Sequence, residues 1–99
     1  MSDKFNVMIN SDKPVLVDFF AEWCGPCQTM LPVLKVIKLK MGEKATIIKV
    51  DVDKNPAVSQ QFQVRSVPTF ILFKNGKELW KRSGIVSEPE LIQLFNLHC

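Results

Sequence analysis

The sequence has no long apolar run, little net charge and few cysteines, and each of these absences excludes a class of protein. Its purely apolar runs extend over only a few residues, whereas a helix needs about 18 to span a bilayer, so a membrane-spanning helix is excluded. The formal net charge is +3, and the basic residues are scattered among acidic ones, which gives no indication of a nucleic-acid partner. Abundant Phe, Val, Ile and Leu also exclude a disordered chain.

Three cysteines in 99 residues are too few for a disulfide scaffold, and an odd number cannot pair completely within the chain. The first residues lack the basic segment, apolar stretch and cleavage site of a secretion signal, so we expect a cytoplasmic protein. In a reducing compartment, closely spaced cysteines are more often catalytic or metal-binding than structural. Cys24 and Cys27 are therefore the first candidates for a functional site.

The pattern of elements predicts an α/β fold in a single domain, residues 1–99, with a mixed central sheet of about four strands flanked by helices on both faces. The predicted order is a helix over 3–10, a strand over 15–20, a helix from the cysteine pair to 41, a strand over 45–52, a short helix from 56, strands over 69–74 and 77–83, and a last helix from 87. The helix between the first two strands predicts a parallel pair with a right-handed crossover. Asn75-Gly76 predicts a hairpin between the last two strands.

Cys24-Gly25-Pro26-Cys27 lies where a buried strand turns into a helix. Free backbone N–H groups and the helix dipole stabilise a thiolate at such a position, and the two-residue spacing brings both sulfurs together within one turn. Because only the first cysteine projects from the helix start, we expect Cys24 to be an exposed nucleophile and Cys27 its shielded resolving partner. A C-x-x-C motif in a βαβ pattern indicates redox chemistry, although the motif alone also occurs in zinc sites.

Asp18 interrupts the apolar strand that leads to the cysteines, on the same face as Leu16 and Phe20. In one interpretation it points to solvent from an edge strand. In the other it is buried with a raised pKa and accepts the proton of Cys27. A strand that feeds a βαβ crossover is central, which favours the buried carboxyl.

A zinc site is the competing interpretation of the cysteines, with Cys24, Cys27, His98 and Cys99 as four ligands. Adjacent ligands at a terminus, with no second spaced pair, argue against it, so we expect no metal. Trp23, directly before the nucleophile, has two interpretations: simple packing, or part of an apolar contact surface around Cys24.

The stretch from Val17 to Cys27, VDFFAEWCGPC, resembles the active-site segment of thioredoxins. The resemblance continues through Pro32, Lys49, Val67-Pro68-Thr69, Phe73-Lys74-Asn75-Gly76 and Gly84. It implies the thioredoxin fold, a cis-proline at Pro68 beside the cysteine pair, and Lys49 as the partner that modulates the pKa of Asp18. It also implies a groove for an extended substrate, lined by Trp23, Gly25, Pro26, Val67, Pro68, Gly84 and Ile85.

The activity that the resemblance implies is that of a protein-disulfide reductase, a redox carrier whose two sulfurs are the whole redox centre. No cofactor is expected on the chain itself, and electrons would come from NADPH through a thioredoxin reductase. The expected partners are that reductase and disulfide-containing proteins. The chain itself is expected to be a monomer. Two alternatives stay open. An exported oxidant or isomerase is disfavoured by the missing signal and by Gly25-Pro26, and a non-enzymatic binding subunit would not require both cysteines.

The chain departs from the family's pattern in three places. Only 23 residues precede Cys24, so we expect the family's first strand to be missing, which leaves four core strands. Phe20 stands where Trp is common, and Gln28 stands where a basic residue is common. The loss of a positive neighbour should slightly weaken the stabilisation of the thiolate.

Overall fold

The computed structural model describes residues 2–99, and for Ser2 its backbone only. The helices and strands are α1 (Ser2–Ile9), β1 (Val15–Phe20), α2 (Gly25–Met41), β2 (Thr46–Asp51), α3 (Pro56–Gln61), β3 (Thr69–Lys74), β4 (Lys77–Ser83) and α4 (Glu88–His98). The predicted order of elements is confirmed. No helix within these residues has the length and apolar character needed to cross a membrane.

One element was not predicted, a 3-10 turn over Gly42–Lys44 between α2 and β2. Gly42 ends α2 with a positive φ of 57°, and its N–H donates to the Lys38 carbonyl. A positive φ is accessible to glycine at little cost, which explains the residue at this cap. The extra turn shortens β2 at its start, so that the strand begins at Thr46.

The strands form one mixed sheet in the order β2-β1-β3-β4. Strand β1 is parallel to β2 and antiparallel to β3, so it is bonded on both edges. Parallel neighbours cannot be joined by a tight turn, and α2 supplies the crossover between them. The central position expected for β1 is confirmed.

Helices cover both faces of the sheet, as predicted. Leu16, Phe70 and Leu72 face the helices α2 and α4, and pack with residues that include Met30, Leu34, Leu91 and Phe95. The alternate residues of the same strands face α1 and α3, and pack with Phe5, Ile9 and Val58. Asp18 shares the side of β1 that faces α2, since side chains alternate along a strand.

Residues 2–9 form α1, so the first strand usual in the resembled family is not found within residues 2–99, as expected. Because no strand in this part of the chain pairs with the outer side of β2, that strand remains an edge of the sheet.

Candidate functional site

Cys24 and Cys27 form a disulfide at the start of α2, with their Cα atoms 5.3 Å apart. Cys24 is the N-cap residue of the helix and Cys27 lies in its first turn. The backbone N–H of Cys27 donates a hydrogen bond to the Sγ atom of Cys24 at 3.1 Å. The sulfur of Cys24 is therefore the one that the helix N-terminus would stabilise as a thiolate.

The expected exposure of Cys24 is wrong for this oxidised form. Cys24 is 4% exposed and Cys27 is 3% exposed. The two cysteines pack with Ala21, and the neighbouring side chains Phe20, Val52 and Val67 cover them. The two cysteines therefore differ in hydrogen bonding, as described above, rather than in exposure.

Asp18 is buried in the central strand, with 1% of its surface exposed. Its Oδ1 atom has no hydrogen-bond partner among residues 2–99. Burial raises the pKa of Asp18 to about 6, and the positive charge of Lys49 partly offsets that rise. The interpretation of Asp18 as a solvent-facing carboxylate on an edge strand is thereby excluded.

Lys49 is the register partner of Asp18 on β2. Partners in a parallel pair project to the same side of the sheet, so Lys49 also lies on the side that faces α2. It is exposed, and the ion pairs within residues 2–99 do not include it. Lys49 thus acts on Asp18 through its charge, as the resemblance implies, and not through a formed salt bridge.

Asp18 is placed toward the cysteine pair by its strand. Phe20, two residues further along the same side of β1, packs against the cluster of Ala21, Cys24 and Cys27. Two residues of a strand span about 7 Å. Asp18 therefore lies about 7 Å along β1 from Phe20, which contacts the disulfide cluster. Its side chain is on the side of the sheet that α2, the helix carrying Cys27, covers.

The Val67–Pro68 peptide bond is cis, as the resemblance implies. The Pro68 carbonyl accepts a hydrogen bond from the Gly84 N–H at 2.9 Å, and the Thr69 hydroxyl donates to the Ser66 carbonyl at 2.7 Å. The first bond holds the loop before β3 against the chain that follows β4, and the second ties the loop to the start of β3. Val67 at the end of this loop packs against the cysteine cluster.

The residues predicted to line a substrate groove lie on several parts of the chain: before and at the start of α2, in the loop before β3, and after β4. Trp23 and Ile85 are exposed over 73% and 58% of their surface, which is high for apolar side chains. Gly25 and Pro26 are exposed at the start of α2, while Val67 and Gly84 belong to the bonded loops described above. Their roles toward a substrate stay predictions.

Sequence reasoning missed a contact of Trp23. Its Nε1–H donates to Oδ2 of Asp53 at 2.9 Å and so holds the indole against the chain that follows β2. Asp53 follows β2, and parallel neighbouring strands end at the same edge of a sheet. A search for polar residues after β2 would therefore have found it.

A small cleft next to Trp23 was also not predicted. It has a volume of about 140 Å³ and is lined by Trp23, Val52, Val64, Arg65, Ser66 and Val67. The loop residues among them carry no periodic pattern, and only the fold brings them beside Trp23.

The zinc interpretation is wrong for this structure, because its four ligands do not meet. Cys99 lines a groove with Lys13 and Pro14, which precede β1, whereas Cys24 follows β1. The carbonyl of His98 accepts from Lys74 at 2.9 Å, also at the end of the sheet where β1 begins. Within residues 2–99, no three metal-binding side chains form a cluster.

Comparisons with known proteins agree on one family. A family model described as Thioredoxin matches residues 1–96. The chain is 46% identical over 83 residues to "Thioredoxin Y, chloroplastic" of Oryza sativa subsp. japonica, a match that covers 84% of this chain and 49% of the relative. It is 41% identical over 97 residues to a thioredoxin of Haemophilus influenzae, covering 98% of this chain and 91% of the relative.

A solved structure of a mutant thioredoxin from Halobacterium salinarum NRC-1 superposes with a TM-score of 0.84 at 36% identity. That match covers 99% of this chain and 84% of the other. The chain thus spans about half the length of the plant relative and most of the length of the bacterial relative and of the solved structure.

The buried carboxyl generates a prediction about stability. Because the pKa of Asp18 is raised to about 6 from 3.8, the folded state binds a proton more tightly than the unfolded state, and its stability falls as pH rises through this window. Asp18→Asn removes the ionisation. We compare the free energy of unfolding of the variant with that of the wild type at each pH. The difference between them should shift in favour of the variant by about 2–3 kcal/mol from about pH 4 to about pH 8.

Urea denaturation of both proteins at the two pH values measures this difference. Asp12→Asn, an exposed aspartate in the turn before β1, is the matched control and should show no such change. A relative stability of Asp18→Asn that does not depend on pH would contradict the raised pKa.

Proposed function

This chain belongs to the thioredoxin family, and we propose from that premise and from the geometry of the site that it reduces disulfides in other proteins. The observation that carries the proposal is the Cys24–Cys27 disulfide at the N-terminus of α2. It joins a sulfur that accepts a helix N–H to a second sulfur in the first turn of the same helix, and both cysteines are buried. Such a pair carries two electrons in its dithiol form and releases them when it is oxidised to the disulfide.

In the first step, the Cys24 thiolate attacks one sulfur of a substrate disulfide. The substrate S–S bond breaks, a mixed disulfide between Cys24 and the substrate forms, and the second substrate sulfur leaves as a thiolate that takes up a proton. Strand-like docking along the cis-proline loop and the exposed surface of Trp23 would hold the substrate through backbone hydrogen bonds, which tolerate many sequences.

In the second step, Cys27 attacks Cys24. Asp18, with a pKa of about 6, is largely ionised near neutral pH and accepts the Cys27 proton, directly or through one water. The new Cys24–Cys27 disulfide forms as the mixed disulfide breaks, and the reduced substrate leaves. Two electrons have passed to the substrate.

The oxidised pair must be reduced again before another cycle. The family resemblance points to a thioredoxin reductase that draws on NADPH, with no cofactor bound to this chain and with a monomer as the working form. We place the reaction in the cytoplasm, because a disulfide reductase operates where thiols are kept reduced. The name of the plant relative assigns that protein to the chloroplast.

The division of roles between the cysteines predicts different behaviour of two variants. Cys27→Ser keeps the attacking sulfur but lacks the resolving one, so it should accumulate a mixed disulfide with an oxidised model protein. Cys24→Ser should accumulate none. Both are made with Cys99→Ser, because Cys99 is an exposed free thiol, and intact-mass spectrometry counts the adducts.

A mixed disulfide on Cys24→Ser would contradict the assignment of Cys24 as the nucleophile. Full biological activity in a Cys24→Ser, Cys27→Ser double variant would instead support a non-enzymatic binding role.

The role of Asp18 predicts a change in resolution kinetics. Asp18→Asn removes the proton acceptor, so resolution of the mixed disulfide should slow by about tenfold or more near neutral pH. The rise in rate through about pH 6, the pKa of Asp18, should also disappear. Stopped-flow measurement of substrate release across pH gives both quantities, and Asp12→Asn serves as control. Unchanged resolution kinetics across the pH range would refute the role.

A further inference from the structure

Within the part of the chain that the structure describes, no strand pairs with the outer edge of β2. The strand's one partner within residues 2–99 is β1. The Val52 N–H donates to the Phe20 carbonyl at 2.9 Å, so alternate residues counted back from Val52 point toward β1. The intervening residues Ile47 and Lys49 turn their N–H and C=O groups outward, and such an edge is a template for strand pairing.

The two ends of this edge are closed by the chain itself. The Lys38 Nζ atom donates to the Ala45 carbonyl at 2.8 Å, just before the strand. The Asp51 carbonyl at the other end accepts from the Asn55 backbone N–H at 2.9 Å. The stretch between them is short and well defined, and it fits one extended segment.

A groove of about 210 Å³ lies beside the edge, between β2 and α2, and is lined by Leu31, Leu34, Lys35, Lys38, Ile47 and Lys49. Its lining is thus half aliphatic and half lysine. Ile47 packs against the core cluster below. A strand added to β2 would project alternate side chains toward this groove, because side chains alternate along a strand.

The positive charge of the groove favours an acidic binding partner. Across residues 2–99, the ion pairs are formed by Lys40, Lys54 and Arg82. The three groove lysines take part in none of them, and Asp18, the register partner of Lys49, is buried. Carboxylates on an incoming segment would meet these ammonium groups with complementary charge.

A second copy of this chain fits the edge less well. Antiparallel pairing of two β2 strands would bring two lysine-lined grooves together, and like charges at an interface are unfavourable. The other edge of the sheet differs too, since β4 has a register irregularity opposite Leu72 and Phe73. Irregularities of this kind twist an edge and discourage pairing.

We propose that the outer edge of β2 and its groove bind an extended acidic segment of a partner protein as an additional strand. An apolar side chain of the segment lies toward Leu31 and Ile47, and acidic side chains on the same face meet the lysines. The surface includes neither Cys24 nor Cys27, so the inference does not rest on the proposed function.

The probe is a fluorescein-labelled heptapeptide, Thr-Glu-Val-Leu-Val-Glu-Thr, which places Glu, Leu and Glu on one face and contains no cysteine. We expect saturable binding by fluorescence anisotropy, with amide NMR shifts centred on Ile47 and Lys49. A Cys24→Ser, Cys27→Ser double variant should bind equally well. In an added strand, alternate peptide residues direct their N–H groups toward β2 and the others direct them away. N-methylation of the residues that face β2 should abolish binding, and N-methylation of the residues that face away should preserve it.

The charge contribution is tested with matched variants. Lys35→Glu should weaken binding by about fivefold or more. Lys77→Glu, the same change at an exposed position on β4, should leave affinity unchanged. Both side chains lack an ion pair within residues 2–99, so neither change breaks one.

Four outcomes would overturn the proposal. They are absence of saturable binding, equal binding of the two methylated peptides, equal losses from Lys35→Glu and Lys77→Glu, and self-association through β2 that the peptide does not compete with. The last would assign the edge to a second copy.

Discussion

Strand β1 is buried on both faces and hydrogen-bonded on both edges, and it ends just before the cysteines. Burial of its apolar residues holds the sheet between two layers of helices. The crossover from β1 to β2 requires α2 to start at the end of β1, and that start is where the disulfide lies. The position of the redox pair is therefore a consequence of which strand is central.

The same burial places a carboxyl where water does not solvate it. Asp18 has a raised pKa because its charged form is costly inside the protein. A carboxylate in this position also disfavours a second negative charge nearby, and the first turn of α2, Gly25-Pro26-Cys27-Gln28, offers no cationic side chain in return. The helix N-terminus stabilises the Cys24 thiolate without help from a positive neighbour.

The buried carboxyl and the uncharged first turn of α2 influence the direction of electron flow. A dithiol whose thiolate is strongly stabilised makes its disulfide oxidising, whereas weak stabilisation makes the pair reducing. The uncharged first turn and the buried carboxyl both act toward weak stabilisation. The site therefore favours a donor of electrons to substrate disulfides.

Much of this arrangement follows from the sequence, since the apolar run before the C-x-x-C motif, which Asp18 interrupts, predicts a central strand and the burial of Asp18. The cis form of the Val67–Pro68 bond was available only through resemblance, because a Val-Pro pair in a turn permits both isomers. The prediction that Cys24 is exposed was wrong because Val52 and Val67 cover it. These two residues are distant from Cys24 in the sequence, and only the fold brings them there. Asp53 was missed although the rule that parallel strands end at one sheet edge identifies it.

The most direct test of this account is the reduction potential of the Cys24–Cys27 pair in a Cys99→Ser background. Fluorescence of Trp23, which adjoins the disulfide, can report the equilibrium with a thiol–disulfide buffer. The account predicts a value near about −270 mV, as for a reductant. A value of about −180 to −120 mV, the range of disulfide isomerases and oxidants, would contradict it.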